Sequence, residues 1–189
     1  MIALVDRVNA RPPADPDYQV RLGSPTDHQY IEQIQRTWSG RIGFVATPII
    51  REGLERRKYL LMDLRNQSGG MIYLTKGVRK AVRIVQHAID DQLWLQGFGT
   101  LLVAAVSRLA AQSNFPEIHF SLREDIPTHK FWTAIGAQPV GLRLGGERRK
   151  KMIIDYIIPK KQVLLLAKTI ENPDGSLIER FEGVKPWFS

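Results

Sequence analysis

The stretch Lys80–Ala111, KAVRIVQHAIDDQLWLQGFGTLLVAAVSRLAA, decides how the rest of the chain is read. Val82, Ile84, Val85, Ala88 and Ile89 are β-branched or small enough for a buried strand, which Gln86 and His87 interrupt. Beyond Gly97 the period changes. Phe98, Leu101, Leu102, Ala105 and Leu109 recur at three- and four-residue intervals, so they fall on one face of a helix. A strand therefore feeds a helix through a glycine turn. Gly97 and Gly99 remove two side chains where backbone N–H groups could meet an anion at the helix N-terminus, and Thr100 could add a hydroxyl. The same glycines could serve only a tight turn. The pair is too short for a dinucleotide fingerprint, and the P-loop lysine is absent.

Upstream, Tyr18–Leu22 reads as a first strand, and Gly23-Ser24-Pro25 breaks it. Ser24 or Thr26 can cap a helix whose packed face holds Tyr30, Ile31, Ile34 and Trp38. A second helix is expected over Pro48–Lys58, apolar at Ile49, Ile50 and Leu54 and basic at Arg51, Arg56, Arg57 and Lys58. Tyr59–Arg65 and Met71–Thr75 read as a hairpin joined by Asn66-Gln67-Ser68-Gly69-Gly70, and Lys76-Gly77 turns into the strand quoted above. Three adjacent strands thus form a meander before the central helix. A classical nucleotide-binding sheet would begin by alternating strands with helices.

Downstream, Ile118–Leu122 is a strand with Arg123-Glu124-Asp125 at its exit, where loops often carry function. His129–Ile135 is a short helix that Asp125 could help to cap and that Gly136 ends. Pro139–Leu144 and Met152–Ile158 are two further strands flanking a basic loop that includes Arg148 and Arg149. From Val163 the chain holds Leu164, Leu165 and Leu166, then Asn172-Pro173-Asp174-Gly175, then Leu177, Ile178 and Phe181. A packed strand pair across the Pro-Asp-Gly turn, or contact with a second subunit, would hide these apolar residues.

The whole constellation, strand, Q-G-F-G-T-L-L, alanine-rich helix, second strand and F-W-T-A-I-G-A, resembles the central region of the Gcn5-related N-acetyltransferase (GNAT) superfamily. The resemblance spans residues 18–158 and implies an α/β fold with a mixed, mostly antiparallel sheet and flanking helices. Residues 1–17 would be a lead-in, and 159–189 an extension packed on the domain or on a partner subunit. Gly97 and Gly99 match the two small positions of the family's pyrophosphate loop, and Trp94 stands at its Arg or Gln position. Ile89 lies near the end of the strand that pairs with the pantetheine arm. Asp125 stands at the Asn position, Thr128 at the small-residue position, Phe131 and Trp132 at Phe-Tyr, and Ile135 and Gly136 at Leu-Gly. Three departures follow: Trp94 lacks the usual polar side chain, Asp125 brings a charge in place of an amide, and Trp132 lacks the tyrosine hydroxyl that often protonates the leaving thiolate.

The implied activity is transfer of an acetyl group from acetyl-CoA, or another acyl-CoA, to an amine by direct attack in a ternary complex. Ile89 and Trp94, Leu95, Gln96, Gly97, Phe98, Gly99 and Thr100 would hold the cosubstrate. His87 is the first candidate for the base, because an imidazole titrates near neutrality and lies just before the loop; a buried strand histidine is the alternative. Asp125 is the second candidate, with Glu124 and Asp90 in reserve. Arg51, Arg148 and Arg149 are candidate acceptor contacts, although charged side chains in such segments are often simply solvated.

Composition sets the outer bounds. The chain has 189 residues, enough for one domain with a substantial core, and 43% of them are hydrophobic, which favours a folded protein. Twenty-seven basic against nineteen acidic side chains give a net charge of +8, which attracts phosphates without identifying them. The absence of cysteine excludes disulfides, thiolate nucleophiles and Cys-based metal sites. No HExxH or HxH spacing occurs, so no metal is expected, and Ser121 beside His119 does not by itself make a triad. Asp6 and Arg7 interrupt any signal-like start and no long apolar run occurs, so a cytoplasmic protein without a membrane span is expected. A homodimer is one possible assembly. Two other classes remain open: a noncatalytic acyl-CoA-binding relative, and a basic nucleic-acid-binding protein using Arg51–Lys58 and Arg148–Lys151.

Overall fold

The computed structural model describes residues 18–65, 67–78, 80–145 and 151–168. In chain order these form β1 (Tyr18–Leu22), α1 (His28–Ile42), α2 (Thr47–Glu55), β2 (Tyr59–Leu64), β3 (Gln67–Lys76) and β4 (Ala81–Ile89). There follow α3 (Phe98–Gln112), β5 (Glu117–Arg123), α4 (His129–Ala134), β6 (Gln138–Leu144), β7 (Met152–Ile158) and α5 (Lys160–Lys168). The seven strands make one sheet in the order β1-β2-β3-β4-β5-β7-β6. Every neighbouring pair is antiparallel except β4 and β5.

Alternation along the strands explains how the sheet is covered. In β2, Leu60 and Met62 face the cluster around α3, while Tyr59 and Leu61 face α1 and α2. In β3, Ile72 and Leu74 face α3, and Met71 and Tyr73 face the opposite side. Both faces of these strands are dry, which is why they read as continuous apolar runs. Strands β5 and β7 follow another rule: Ile118, Phe120, Tyr156 and Ile158 join the α3 cluster, whereas Glu117, His119, Ser121, Arg123 and Asp155 alternate with them on the far face.

Helix α3 is buried over most of its circumference, from Phe98 to Ala110. Its alanines let it lie close to the sheet, and α5 packs on it through Val163 and Leu166. This last helix was not anticipated: Val163 and Leu166 point inward while Leu164 and Leu165 stay exposed, so the leucine run is one turn of an amphipathic helix. The expected strand pair beyond it, like the lead-in 1–17 and the loop with Arg148 and Arg149, lies outside the described residues.

Two further expectations are corrected. Residues Gln67–Gly70, read as a loop, begin β3, because glycine there lets other side chains cross the strand: a Cβ on Gly69 or Gly70 would run into Leu93 or Ile89. The second helix starts at Thr47, places Pro48 in its first turn and ends at Glu55, since Arg57 takes a positive φ of 53°.

Candidate active site

Parallel pairing between β4 and β5 is short. Ala81, Val82 and Arg83 sit beside Glu117, Ile118 and His119, and beyond that rung the strands part. β4 continues to Ile89 with β3 as its partner, and β5 continues to Arg123 with β7. The register of β4 against β3 slips at Val85, where an extra residue forms a bulge and sharpens the local twist. The result is a wedge-shaped opening whose β4 wall presents backbone groups.

At the end of that wall the chain turns through Asp91–Leu93 and enters α3 at Gly97, whose φ of +91° suits glycine. A Cβ there would meet nothing within 4 Å, so the loop borders open space. The first intrahelical bond is Leu101 N–H to Gly97 O at 3.0 Å, which leaves the N–H groups of Phe98, Gly99 and Thr100 at the positive end of a fifteen-residue helix. The Gly99 backbone lies against the ring of His87 and the edge of Phe131; a Cβ would stand 3.4 and 3.5 Å from them. A phosphate-bearing ligand fits such a cradle.

The neighbouring predicted residues are used internally. Trp94 donates its indole N–H to the carbonyl of Ile89 at 2.9 Å and stacks on Trp38 of α1 with centroids 5.0 Å apart. The Arg41 guanidinium lies 5.1 Å from the Trp38 ring and 5.9 Å from that of Trp94. Gln96 donates to the Gln92 carbonyl at 2.8 Å, and the Leu95 side chain projects into solvent.

His87 faces the α3 side. Its ring stacks on Phe131 at 5.7 Å and meets Trp132 edge-on at 5.3 Å, and its Nε2 is buried without a hydrogen-bond partner. Burial pushes its pKa down to about 4, so the imidazole is neutral in the folded protein near neutral pH. Trp132, only 3% exposed, continues this wall against Phe120 at 4.0 Å, and Phe120 stacks on Tyr156. The Tyr156 hydroxyl lies 2.8 Å from His129 Nδ1, and His129 Nε2 lies 2.9 Å from the Arg123 carbonyl. A carbonyl only accepts, so Nε2 carries the proton and Nδ1 accepts from the tyrosine. No sequence signal joins those residues, which lie on different elements.

Asp125 sits apart at the exit of β5, 3.0 Å from Arg123 and 3.2 Å from Lys151. What desolvation it meets would raise its pKa, yet hydrogen bonds from Lys151 and Arg123 hold the carboxyl below its ordinary value. Glu124 is exposed, with its N–H bonded to the Met152 carbonyl. Asp90 is shifted upward by partial burial and by Asp91. Arg51 lies on the exposed side of α2, outside the cluster formed by Ile50 and Leu54. The structure therefore brings His87, Gly99, Phe131 and Trp132 together, and joins Trp94 to Ile89, while Asp125 belongs to a separate ionic group.

The far face of the sheet holds polar groups that sequence reading did not assemble. His119 Nε2 lies 3.1 Å from a Glu117 carboxylate oxygen. Ser121 donates to Asp155 at 2.6 Å, and Arg143 reaches the other oxygen of Asp155 at 3.1 Å. Burial would raise the Asp155 pKa, but these bonds and the charges of Arg143 and Arg83 keep it low. Nearby, Gln35 of α1 exchanges two 2.8 Å bonds with the Val45 backbone, and Gln86 donates to both Gln35 and the Gly43 carbonyl. This network pins the α1–α2 connection to β4 beside the bulge. Among the described residues no group of three or more His, Asp or Glu is placed to hold a metal ion, and no helix is long and apolar enough to cross a membrane.

No family model matches the chain, and no curated protein matches it in sequence. Solved structures do match in fold. Ard1 from Thermoplasma volcanium superposes with a TM-score of 0.68 at 17% identity, over 76% of this chain and 97% of that one. Spermidine N-acetyltransferase from Vibrio cholerae, solved in complex with CoA and spermine, gives 0.64 at 12%, over 78% and 98%. An acetyltransferase of the GNAT family from Streptococcus pneumoniae gives 0.60 at 14%, over 75% and 98%.

Proposed function

Starting from a chain that has the fold of the GNAT acetyltransferases, we propose that it transfers an acetyl group from acetyl-CoA to an amine. The observation that carries this reading is the split between β4 and β5 with the open N-terminus of α3 at its end. The N–H groups of Phe98–Thr100 hold the pyrophosphate at the helix N-terminus. Backbone groups of β4 from the Val85 bulge to Ile89 bind the pantetheine arm, and one N–H beside the bulge polarises the thioester carbonyl. Holding both reactants in one cleft makes the attack effectively intramolecular.

In this reading His87 is part of the wall rather than the proton acceptor: it is neutral, enclosed by Phe131 and Trp132, and backed against Gly99. Asp125, held by two cations, is poorly suited to accept a proton and instead steadies the exit of β5. The acceptor enters from the side of α1 and α2, where Arg51 is exposed.

A second reading, acyl-CoA binding without transfer, is favoured by one observation: Trp132 fills the Phe-Tyr position with a buried ring that has no hydroxyl to offer the leaving sulfur. Calorimetry with acetyl-CoA followed by a thiol-release assay with a panel of amines separates the two. Binding with amine-dependent CoA release supports transfer, binding without release supports the second reading, and absence of binding defeats both.

A further inference from the structure

This inference rests on the acyl-transfer reading above and names the group that takes the proton from the acceptor. Of the four histidines, three are committed elsewhere. His28 is tied to the Pro25 carbonyl at the start of α1, His87 is buried among aromatic rings, and both ring nitrogens of His129 are engaged. His119 differs from all of them. Its side chain is 27% exposed, and its Nε2 faces the Glu117 carboxylate at 3.1 Å. A carboxylate only accepts, so this bond places the proton on Nε2 and leaves the lone pair on Nδ1.

Its position matters as much as its bonding. His119 pairs with Arg83 on the last rung that joins β4 to β5, and the Val85 bulge begins two residues further along β4. The imidazole therefore stands at the apex of the split. It lies on the polar face of β5, opposite the face where Phe120 and Ile118 meet α3. Facing it are Arg83 from β4, Glu117 and Ser121 from β5, and Ile157 with Asp155 from β7, the last also bound by Arg143 of β6. Asp155 is occupied by Ser121 and Arg143 and does not compete for the proton.

We propose that His119 is the general base of the transfer and that Glu117 is its positioning residue. The ammonium form of the acceptor gives one proton to Nδ1, and the freed nitrogen lone pair attacks the thioester carbon. The C–N bond forms, the C–S bond breaks with its electron pair on sulfur, and the second N–H proton ends on the thiolate. The first proton passes from the imidazolium to solvent, which the exposure of His119 allows.

The test uses the full chain with acetyl-CoA and butylamine, spermidine or a peptide with a free N-terminal amine, and with hydroxylamine, which is already neutral at neutral pH. His119→Gln is expected to bind acetyl-CoA like the unmodified chain, to lose about 100-fold or more in kcat/KM with the protonated amines, and to lose the acidic limb of the pH profile. Its hydroxylamine-dependent CoA release stays within several-fold. Glu117→Gln retains more activity than His119→Gln, losing kcat with the protonated amines while KM and acetyl-CoA binding stay in place, and Glu117→Asp restores part of that loss; a merely structural role would move KM and binding as well. Unchanged turnover and pH profile in His119→Gln, or an equal loss with hydroxylamine, overturns the proposal. Acetyl-CoA binding without CoA release by any of these amines also overturns it while sparing the cofactor assignment, and absence of binding overturns the acyl-transfer reading itself.

Discussion

The indole N–H of Trp94 is bonded to the main-chain carbonyl of Ile89 at 2.9 Å, across the turn that links the end of β4 to the N-terminus of α3. The same ring stacks on Trp38, so one side chain joins the β4 terminus, the glycine turn and α1. Ligand binding at Gly97–Thr100 should therefore change the surroundings of Trp94. Acetyl-CoA is expected to alter the tryptophan emission of the protein, and Trp94→Phe to abolish most of that change. Trp94→Phe should also cost about 1 kcal/mol of stability, the scale of a lost hydrogen bond, measured by denaturant unfolding.

Gly97 and Gly99 should answer differently to the same substitution. Gly97→Ala meets open space but must hold φ at +91°, at a cost of about 1–2 kcal/mol. Gly99→Ala has ordinary contacts at 3.4–3.5 Å and a normal helical position, so stability should change by less than about 1 kcal/mol. Calorimetry should show weaker acetyl-CoA binding in Gly97→Ala, whose methyl group enters the open space of the cradle, and little change in Gly99→Ala, whose methyl group faces His87 and Phe131. Equal thermal stability of the two variants would contradict the backbone argument.

The buried imidazole of His87 makes the fold acid-sensitive. Its folded pKa is near 4 against an ordinary value of 6.5, so the unfolded chain binds a proton that the folded chain refuses. Stability is unaffected by this group above the unfolded pKa, falls as the pH drops below it, and stops falling below the folded pKa. The slope approaches about 1.4 kcal/mol per pH unit in that window. His87→Phe keeps an aromatic ring against Phe131 and Trp132 and should flatten the decline between about pH 7 and about pH 5, read from urea midpoints.

Arg21 is the hub of a second, structural group. It makes bonds of 2.7 and 2.8 Å to the two oxygens of Asp27 and also bonds Asp63, all three side chains being mostly covered. Arg21→Ala leaves two carboxylates without their cation and should destabilise by about 2–3 kcal/mol. Burial would raise the Asp27 pKa, but Arg21 and Ser24 hold it below 3.8. Its contribution is present above the unfolded pKa and disappears as the pH falls through the lower folded value. The variant should therefore lose less stability than the unmodified chain on acidification through that range.

Much of the fold was legible because it rests on short-range periodicity. The interval between Phe98, Leu101, Leu102, Ala105 and Leu109 points to one buried helix face, and the β-branched Val82, Ile84, Val85 and Ile89 favour a strand. The Gly97–Thr100 loop was legible for the same reason: its chemistry is main-chain chemistry, and glycine announces where the main chain turns. Signals failed where one residue type serves two purposes. Gly69 and Gly70 look like a loop and instead admit Leu93 and Ile89 across a strand; the leucines of α5 show no period until Leu164 and Leu165 are seen to face outward.

The remaining part of the candidate site depends on register between distant segments. Sequence alone determined that a strand, a glycine turn and a helix follow one another, since those choices are settled by backbone sterics and by which side chains can be buried together locally. Only the tertiary structure decided that Arg83 lies beside His119, that Ser121 lies across from Asp155, and that His87 is sealed behind Phe131 while His119 stays partly exposed beside Glu117. Those relations follow from strand pairing and from the parting of β4 and β5, and a protonation state depends on which neighbours and how much water such pairing leaves around each group.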